Sequence, residues 1–360
     1  MGAVVNIVLA EGDNLLYGPP SVAATRRIAH APHHAKGPLL AIFVVGESMR
    51  AGGIGPQKIN RGRWTLALDR RVRAGLGAWL PTTCASADGT AGSFPMLMTA
   101  TPPEHYEEAR TAPSVIAILK AAGFATAWID NQDASVFQEK GHDLYWTVSY
   151  IASSGGGFDE EMIPVASAFA SPLTVSASGQ MKPRAMMLHM HGSHFEYVDR
   201  YPSNLFPPDP ANLTRDELTD LHYEHSEEYS AKVLGELANL LDQVKVPAFL
   251  VYTSDHGENL PRDHNGLRAH LGPRASLEDG TVPALVLWNQ EMRQTGRPEE
   301  VLTLMEKKPM IAHVDVARAF LALAGMMDGP VVPVKDPEIL APVKIDGRRS
   351  VLNSCSLLTP

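Results

Sequence analysis

The sequence predicts an α/β protein whose central sheet is mostly parallel and is flanked by helices on both faces. Two observations support this fold class: short continuous apolar runs alternate with segments of helical periodicity, and most of the runs end abruptly in polar residues. A short apolar run without polar alternation is typical of a strand that is buried on both faces, as in a parallel sheet. Strands that alternate with helices place such a sheet between two helical layers.

Five apolar runs are predicted to be strands, and start and stop signals predict the helices between them. The strands are residues 39–45, 124–129, 185–190, 248–253 and 282–288. Ser93 is the predicted cap of a helix whose first turn accepts Pro95. A second helix runs to residue 122 and stops at Gly123. Residues 50–75 are rich in Arg and Gly and are predicted to be a surface excursion.

A long helix is predicted to begin at the capping box of Thr214 and Glu217. On this helix His222 and His225 are three residues apart and could share a metal ion. The alternative is a solvated acidic face, formed with Glu224, Glu227 and Glu228. A late helix is predicted to begin at His313, for which capping of the helix is the simplest role.

The composition limits the classes of protein. The chain has 360 residues, of which 44% are hydrophobic and 20% charged, as in an ordinary globular protein of one large domain or two smaller ones. Its 31 basic and 40 acidic residues give a net charge of -9, which argues against a nucleic-acid partner. Cys84 and Cys355 are too few for a disulfide framework or a thiolate metal site. No run approaches the ~20 apolar residues of a membrane span, so the chain as it stands is expected to be soluble.

Polar residues follow four of the predicted strands, as they do at the rim of an active site. Ligands of open α/β sheets bind beyond the carboxyl ends of the strands. The residues are Glu47, Asp130, Asn131, His191, His194, Asp255 and His256. Asp255 and His256 offer one oxygen and one nitrogen ligand, which suits zinc or a similar divalent ion. The alternative for Asp255 is the cap of a turn.

Thr90 lies in a glycine-flanked loop ahead of a predicted helix. Backbone N–H groups and the helix dipole favour a phosphate at such a position. A bound metal ion would lower the pKa of the Thr90 hydroxyl and make it a competent nucleophile. The alternative is that Thr90 and Ser93 only cap the helix.

Four motifs occur in an order that is more specific than any one of them. They are residues 46–50 (GESMR), 90–96 (TAGSFPM), 188–194 (LHMHGSH) and 254–258 (SDHGE). The set resembles the catalytic domain of bacterial phosphoethanolamine transferases of the lipid A-modifying, colistin-resistance type. These enzymes belong to the alkaline phosphatase/sulfatase superfamily, and the similarity spans roughly residues 39–325.

The resemblance implies a zinc site and a nucleophile. Glu47, Thr90, Asp255 and His256 match the positions that bind one zinc ion. Thr90 matches the nucleophile that carries a covalent phosphoethanolamine intermediate.

Three further residues are implied to be at the substrate side of the site. His194 and His270 match histidines that contact the phosphoryl group or a second zinc ion, and His264 competes with His270 for this role. Asn131 matches a turn that lines the pocket. The chain departs from the family pattern at Phe195, where Gly-Pro usually follows the histidine, and after Asn131, where the family's lysine is absent.

The implied function is zinc-dependent transfer of phosphoethanolamine from phosphatidylethanolamine to a lipid or glycan acceptor. The resemblance implies that residues 39–360 form the catalytic domain and act at the membrane surface, on the periplasmic face of the bacterial inner membrane. Residues 1–38 are expected to be an irregular lead-in that follows a membrane anchor. Three alternatives remain: a phosphoglycerol transferase, a phosphodiesterase or sulfatase-type hydrolase on the same fold, and a catalytically inactive binding domain.

Overall fold

The structure is a computed structural model that describes most of the chain. The described residues are 6–9, 37–58, 61–109, 112–132, 150–153, 157–173, 181–271, 276–305, 310–326, 343–345 and 348–350. Their strands are β1 (Asn6–Leu9), β2 (Leu40–Gly46), β3 (Gly77–Trp79), β4 (Thr82–Cys84), β5 (Ala125–Asp130), β6 (Tyr150–Ser153), β7 (Arg184–His189), β8 (Ala248–Ser254), β9 (Thr281–Val282), β10 (Ala284–Trp288), β11 (Met310–Ala312), β12 (Val343–Ile345) and β13 (Arg348–Ser350).

Eight of these strands form the central sheet, in the order β1-β6-β5-β7-β2-β8-β10-β3. The five strands from β6 to β8 in this order are parallel to one another. β1, β10 and β3 each pair antiparallel with their neighbours at the two sides. The predicted mostly parallel sheet is confirmed. Small sheets of β11-β4-β9 and β12-β13 complete the described strands.

Helices cover both faces of the central sheet. They are α1 (Arg63–Arg73), α2 (Thr90–Thr99), α3 (Tyr106–Ala109), α4 (Val115–Ala121), α5 (Met162–Ala170), α6 (Arg215–Gln243), α7 (Leu277–Gly280), α8 (Gln290–Arg293), α9 (Arg297–Met305) and α10 (His313–Leu323). Short 3-10 helices span Pro103–His105, Asp159–Glu161, Ser171–Leu173, Tyr197–Arg200, Ser203–Leu205 and Pro261–Asp263. Among the described helices, none combines the length and the apolar character needed to cross a bilayer.

The alternating side chains of β2 contribute to two apolar cores, because successive residues of a strand point to opposite faces of the sheet. Phe43 packs in the core that holds α2, α4 and α10, and its ring centroid lies 4.8 Å from that of Phe320. Ile42 packs in the other core, with α5 and with Leu237 of α6. This arrangement confirms the predicted helical layers on both faces.

The predicted helix start at Ser93 is wrong by one turn. Helix α2 begins at Thr90, and Gly89 is its N-cap in an extended conformation. Ser93 N donates to Gly89 O at 3.0 Å, as in the first turn of a helix. A Cβ atom added to Gly89 would meet the side chain of Leu271, which packs closely against this N-cap. Thr90 is therefore in the first turn of α2.

The prediction that residues 50–75 form a surface excursion is wrong for residues 63–73, which form helix α1. The cap of α1 comes from a distant helix: the carboxylate of Glu228 on α6 accepts a hydrogen bond from Gly62 N at 3.0 Å. Its neighbour Glu227 forms an ion pair with Lys58 Nζ at 2.9 Å. Both glutamates are buried, so the predicted solvated acidic face is wrong at these two positions.

His222 and His225 both lie within hydrogen-bond distance of the same tyrosine hydroxyl. Their Nδ1 atoms lie 2.6 and 3.1 Å from the hydroxyl of Tyr201. Within the part of the chain that the structure describes, neither belongs to a cluster of three or more metal-ligating groups. The two histidines thus fix the loop that carries Tyr201, and the capping box predicted at Thr214 is confirmed at the start of their helix.

One strand lies in the segment predicted to be irregular. Asn6–Leu9 pair antiparallel with β6 at the side of the central sheet. Ile7 and Val8 are β-branched residues that favour this conformation. The other residues from 1 to 36 lie outside the described part of the chain, so the domain boundary at residue 38 stays a prediction.

Helix α4 offers a direct test of a local stabilising contact. The hydroxyl of Ser114, the buried N-cap, accepts a hydrogen bond from Ala117 N at 3.1 Å. Ser114→Ala is expected to lower the free energy of unfolding by about 1 kcal/mol, because it leaves that N–H without its partner. Urea titration measures the change. Thr303→Ala is the control, because its exposed hydroxyl bonds only within its own helix, and an equal loss in both variants would contradict the capping role.

Candidate active site

Glu47 and Asp255 directly follow two neighbouring parallel strands. β2 and β8 pair with Gly46 beside Ser254, so the next residue of each strand emerges from the same edge of the sheet. Asp255 N donates to Gly46 O at 3.1 Å and keeps the two strand ends in register. Both carboxylates are buried. The fold therefore holds two acidic side chains close together and away from solvent.

Thr90 and His256 complete a compact cluster with these carboxylates. His256 Nε2 lies 2.9 Å from Glu47 Oε1 and 3.5 Å from Asp255 Oδ2. The Thr90 hydroxyl donates to Glu47 Oε2 at 2.9 Å and lies 3.2 Å from His256 Nε2. The structure thus brings together all four residues that match the zinc site of the resembling family.

The orientation of the His256 ring is set by the next residue. His256 Nδ1 lies 2.7 Å from Gly257 O, and a carbonyl can only accept, so Nδ1 carries a proton. Nε2 faces the cluster and has a free lone pair when the imidazole is neutral. A Cβ atom added to Gly257 would collide with Glu278 O, so this turn requires glycine.

The buried charges of the cluster shift one another's ionisation. Burial raises the pKa of Asp255 to about 7, and the nearby charge of Glu47 adds to the rise. Burial also opposes ionisation of Glu47, but the charge of His256 overrides it and holds the pKa of Glu47 well below its usual range. Burial disfavours the charged form of His256 too, but Asp255 and Glu47 override it and raise the pKa of His256 well above its usual value. The two carboxylates therefore require a positive charge between them.

The cluster fits a divalent cation. Asp255 Oδ2 is buried and accepts no hydrogen bond from the described residues, although buried polar atoms are ordinarily bonded. Two carboxylates, one imidazole nitrogen and one hydroxyl oxygen match the donor atoms that zinc prefers. Glu47, His256 and His270 also bring one ligand atom each within 4.8 Å of one another. These residues therefore offer a set of ligands for one divalent ion.

His270 and His194 lie beside this cluster. The ring centroid of His270 is 4.2 Å from that of His256 and 6.0 Å from that of His194. His270 Nδ1 lies 3.4 Å from the buried carboxylate of Glu258, which orients the ring. His264, the competing histidine, is exposed. The structure therefore brings His270, and not His264, to the cluster.

The backbone around His270 is strained. Ala269 and Leu271 have φ angles of 56° and 57°, a left-handed conformation that is unfavourable for residues with a Cβ atom. Hydrogen bonds hold both: Ala269 N donates to Asn259 O at 3.0 Å and Leu271 N to Asp88 O at 3.3 Å. Such strain concentrates at functional sites. Here the two strained residues flank His270, whose ring centroid lies 4.2 Å from that of His256.

Asn131 bonds to a neighbouring buried carboxylate. Its side-chain amide donates to Asp159 at 2.7 Å. Asp159 in turn accepts hydrogen bonds from His191 N at 2.7 Å and Gly192 N at 2.9 Å. Asn131 thus supports the loop that leads to His194, and its expected place in the pocket lining stays a prediction.

Gln132 contacts the cluster, and the sequence analysis missed it. Its Nε2 atom donates to Glu47 Oε2 at 3.0 Å and to Met190 O at 2.9 Å. A side chain that fixes a ligand carboxylate in this way controls the position of the metal. The sequence does contain one indication of this role, because Gln132 lies one residue beyond Asn131, at the end of a predicted strand.

His313 forms hydrogen bonds with the two segments of the chain that carry Thr90 and Asp255. Ser86 N donates to His313 Nδ1 at 3.1 Å, so Nδ1 is an acceptor and Nε2 donates to Ser254 O at 2.9 Å. The Ser93 hydroxyl lies 3.1 Å from the same Nδ1 atom and donates to Asp255 O. Capping of the late helix, the role expected for His313, is carried out by another residue: Asp315 accepts from Ala312 N at 2.9 Å. His313 therefore ties the Thr90 helix to the Asp255 strand.

The chain is similar to known proteins of one family. A model of the sulfatase family matches residues 40–326. The chain belongs to this family. One curated relative, the phosphoethanolamine transferase EptC of Escherichia coli K12, is 26% identical over 250 residues, which are 63% of this chain and 41% of that protein. The chain spans about half the length of the curated relatives it matches.

Two solved structures resemble the fold closely. The C-terminal periplasmic domain of EptC from Campylobacter jejuni gives a TM-score of 0.62 at 22% identity, over 80% of this chain and 89% of that one. The corresponding domain of E. coli EptC in complex with Zn gives 0.60 at 21% identity, over 82% and 84%. The expected alkaline phosphatase/sulfatase fold and the resemblance to phosphoethanolamine transferases are confirmed.

The pH dependence of stability tests the role of His313. Burial lowers the pKa of His313 to about 3, from 6.5 in an unperturbed histidine. Between pH 6.5 and 3 the imidazole is therefore protonated in the unfolded chain but neutral in the folded chain. The contribution of His313 to the free energy of unfolding is complete above pH 6.5 and is lost as the pH falls toward 3. His313→Asn is expected to reduce the slope of unfolding free energy against pH in this window by about 1.4 kcal/mol per pH unit. Urea titrations at several pH values measure it.

The control is His105→Asn, because the side chain of His105 is 57% exposed. If the slope of unfolding free energy against pH is unchanged in the His313 variant, or changes equally in both variants, His313 is not the buried neutral histidine that sets this slope.

Proposed function

We propose that this chain is the catalytic domain of an enzyme that transfers phosphoethanolamine from phosphatidylethanolamine to a lipid or glycan acceptor. One observation carries the proposal: the Thr90 hydroxyl lies 2.9 Å from Glu47 Oε2 and 3.2 Å from His256 Nε2, inside a buried cluster of metal-ligating groups. A hydroxyl in that position can be activated as a nucleophile by a bound metal ion. The similar proteins named phosphoethanolamine transferases support the choice of the transferred group.

Glu47, Thr90, Asp255 and His256 would hold one zinc ion. When bound, zinc would lower the pKa of the Thr90 hydroxyl and offset the charge that develops on the phosphoryl group. The Zn complex of the similar E. coli domain supports this metal. His270 reaches the same cluster, so a second zinc ion held by the histidines is the alternative to their direct contact with the substrate.

In the first step the Thr90 oxygen attacks the phosphorus atom of the donor. Its proton passes to solvent, because the Glu47 carboxylate to which the hydroxyl donates has a low pKa and would also hold the metal. The bond from Thr90 Oγ1 to phosphorus forms as the bond from phosphorus to the glycerol oxygen breaks. That oxygen leaves with its electron pair and takes a proton from His194 or His270, and diacylglycerol is released.

In the second step an oxygen of the acceptor attacks the phosphothreonine. The new bond to phosphorus forms as the bond to Thr90 Oγ1 breaks. The acceptor proton passes to the imidazole that gave one up, and Thr90 recovers its proton from solvent. Both steps need the histidines to donate to the phosphoryl oxygens or to the leaving oxygen, which their position beside His256 supports.

The periplasmic face of the inner membrane is the proposed location. Cys84 is disulfide-bonded, and disulfides persist in oxidising compartments such as the periplasm. The other cysteine of the chain, Cys355, lies outside the described residues. The similar solved structures are periplasmic domains, which supports the same assignment.

Metal analysis tests the zinc site. The purified chain is expected to hold about one tightly bound zinc ion, and Asp255→Ala to lose more than about tenfold in affinity, because it removes a ligand. Chelator competition measures the affinity. Asp242→Ala is the control, because its carboxylate is 48% exposed and pairs with Arg71 at the surface. Zinc binding that survives unchanged in Asp255→Ala would rule out this site.

Mass spectrometry tests the nucleophile. Incubation with phosphatidylethanolamine is expected to release diacylglycerol and to leave a phosphoethanolamine adduct on Thr90. Thr90→Ala should form no adduct and release diacylglycerol at least about a thousandfold more slowly, because the attacking oxygen is missing. Thr303→Ala, an exposed threonine in a helix, should behave as the wild type.

Other products would assign one of the other activities. A phosphoglycerol adduct formed from phosphatidylglycerol would identify a phosphoglycerol transferase. Release of free phosphoethanolamine without an adduct or an acceptor product would identify a hydrolase.

A further inference from the structure

A short loop beside the candidate active site exposes two apolar side chains. Residues 194–200, here called the rim loop, follow β7 at the carboxyl edge of the central sheet. Phe195 is 48% exposed and Val198 45% exposed. Among the described residues only two other large apolar side chains are exposed, Leu66 and Leu277. Half of this exposed apolar set therefore lies within four residues of one loop.

The rim loop is held firmly from beneath. Tyr197, between the two exposed residues, is buried, and its ring centroid lies 5.0 Å from that of Tyr223 and 5.5 Å from that of Phe195. The residue before His194, Ser193, donates its N–H to Glu47 O at 2.9 Å. The loop thus presents Phe195 and Val198 outward on a fixed base, which lowers the entropy that binding costs.

The same loop borders the reacting groups. Phe195 directly follows His194, whose ring centroid lies 6.0 Å from that of His270. His270 in turn brings a ligand atom within 4.8 Å of those of Glu47 and His256. The exposed ring of Phe195 therefore belongs to a residue directly next to a histidine of the candidate site.

The charges of the rim loop indicate which surface it fits. Glu196 and Asp199 are exposed, and the single cation, Arg200, is half-buried and donates from Nε to Glu196 O at 3.2 Å. The exposed charge around the two apolar side chains is thus negative. An anionic bilayer repels this charge, whereas a zwitterionic bilayer, whose headgroups carry no net charge, does not.

We propose that the rim loop is a membrane-docking element that inserts Phe195 and Val198 among the headgroups of a phosphatidylethanolamine-rich bilayer. Aromatic and aliphatic side chains of this kind gain free energy at the boundary between headgroups and acyl chains. Docking there brings the donor headgroup next to His194 while the acyl chains stay in the bilayer. The proposal rests on the proposed function for its choice of lipid, and its test is independent of catalysis.

Vesicle flotation tests the docking. The metal-loaded chain is mixed with vesicles of phosphatidylcholine and phosphatidylethanolamine, and the bound fraction is measured against lipid concentration. Phe195→Ser and Val198→Ser are each expected to weaken partition by about tenfold, as the loss of one buried apolar side chain predicts. Replacing the zwitterionic lipids by phosphatidylglycerol should weaken the wild type as well.

Leu66→Ser is the matched control, because Leu66 is a similarly exposed apolar residue on α1, away from the rim loop. Zinc content, measured on each variant, shows that the site is folded. Equal partition of the wild type and the two rim variants would overturn the proposal, as would an equal loss in Leu66→Ser. A dimer in sedimentation that Phe195→Ser dissociates would assign the surface to a second copy of the chain.

The outcomes also separate this inference from the proposed function. A wild type that binds vesicles without forming an adduct on Thr90 would refute the transferase and leave the docking element standing. A Phe195 variant that binds vesicles normally while the wild type forms the adduct would refute the docking element alone.

Discussion

The close approach of two buried carboxylates is the constraint on which the site depends. Glu47 and Asp255 follow adjacent parallel strands, and the register of β2 with β8 holds the two residues close together. Two such charges in a site without solvent repel each other strongly, which raises the pKa of Asp255 and favours a compensating positive charge. His256 supplies it when protonated, and a divalent ion would supply it while leaving the imidazole free to ligate. The proposed metal site is thus a consequence of strand pairing.

The surrounding polar residues keep that arrangement rigid. Gln132 fixes one oxygen of Glu47, and Glu258 orients the ring of His270. His313 bonds to the strand of Asp255 and to the loop of Thr90, which are far apart in the chain. A nucleophile and the ligands must keep their positions to a fraction of an ångström for group transfer. These neighbours determine the geometry although none of them is a ligand.

Much of this could be predicted from the sequence, since the relevant signals are local. The apolar runs that end in Glu47 and Asp255 predicted both the strands and the residues at their ends. Other features depend on contacts that no local pattern encodes. Helix α2 starts at Thr90 after an extended Gly89 that has no side-chain cap, and α1 receives its cap from Glu228. Asn131 and Gln132 are adjacent at a strand end, and only the three-dimensional structure shows that Gln132 reaches Glu47.

The capping of α1 by Glu228 has a consequence for the order of folding. The hydrogen bonds from Gly62 and Thr65 to this carboxylate span 166 and 163 residues of chain. Loop closure over such a separation is slow and is completed after local structure has formed. The N-terminus of α1 is then completed only once α6 has docked. The loop between Glu47, the proposed metal ligand, and α1 would therefore be among the last segments around the site to settle.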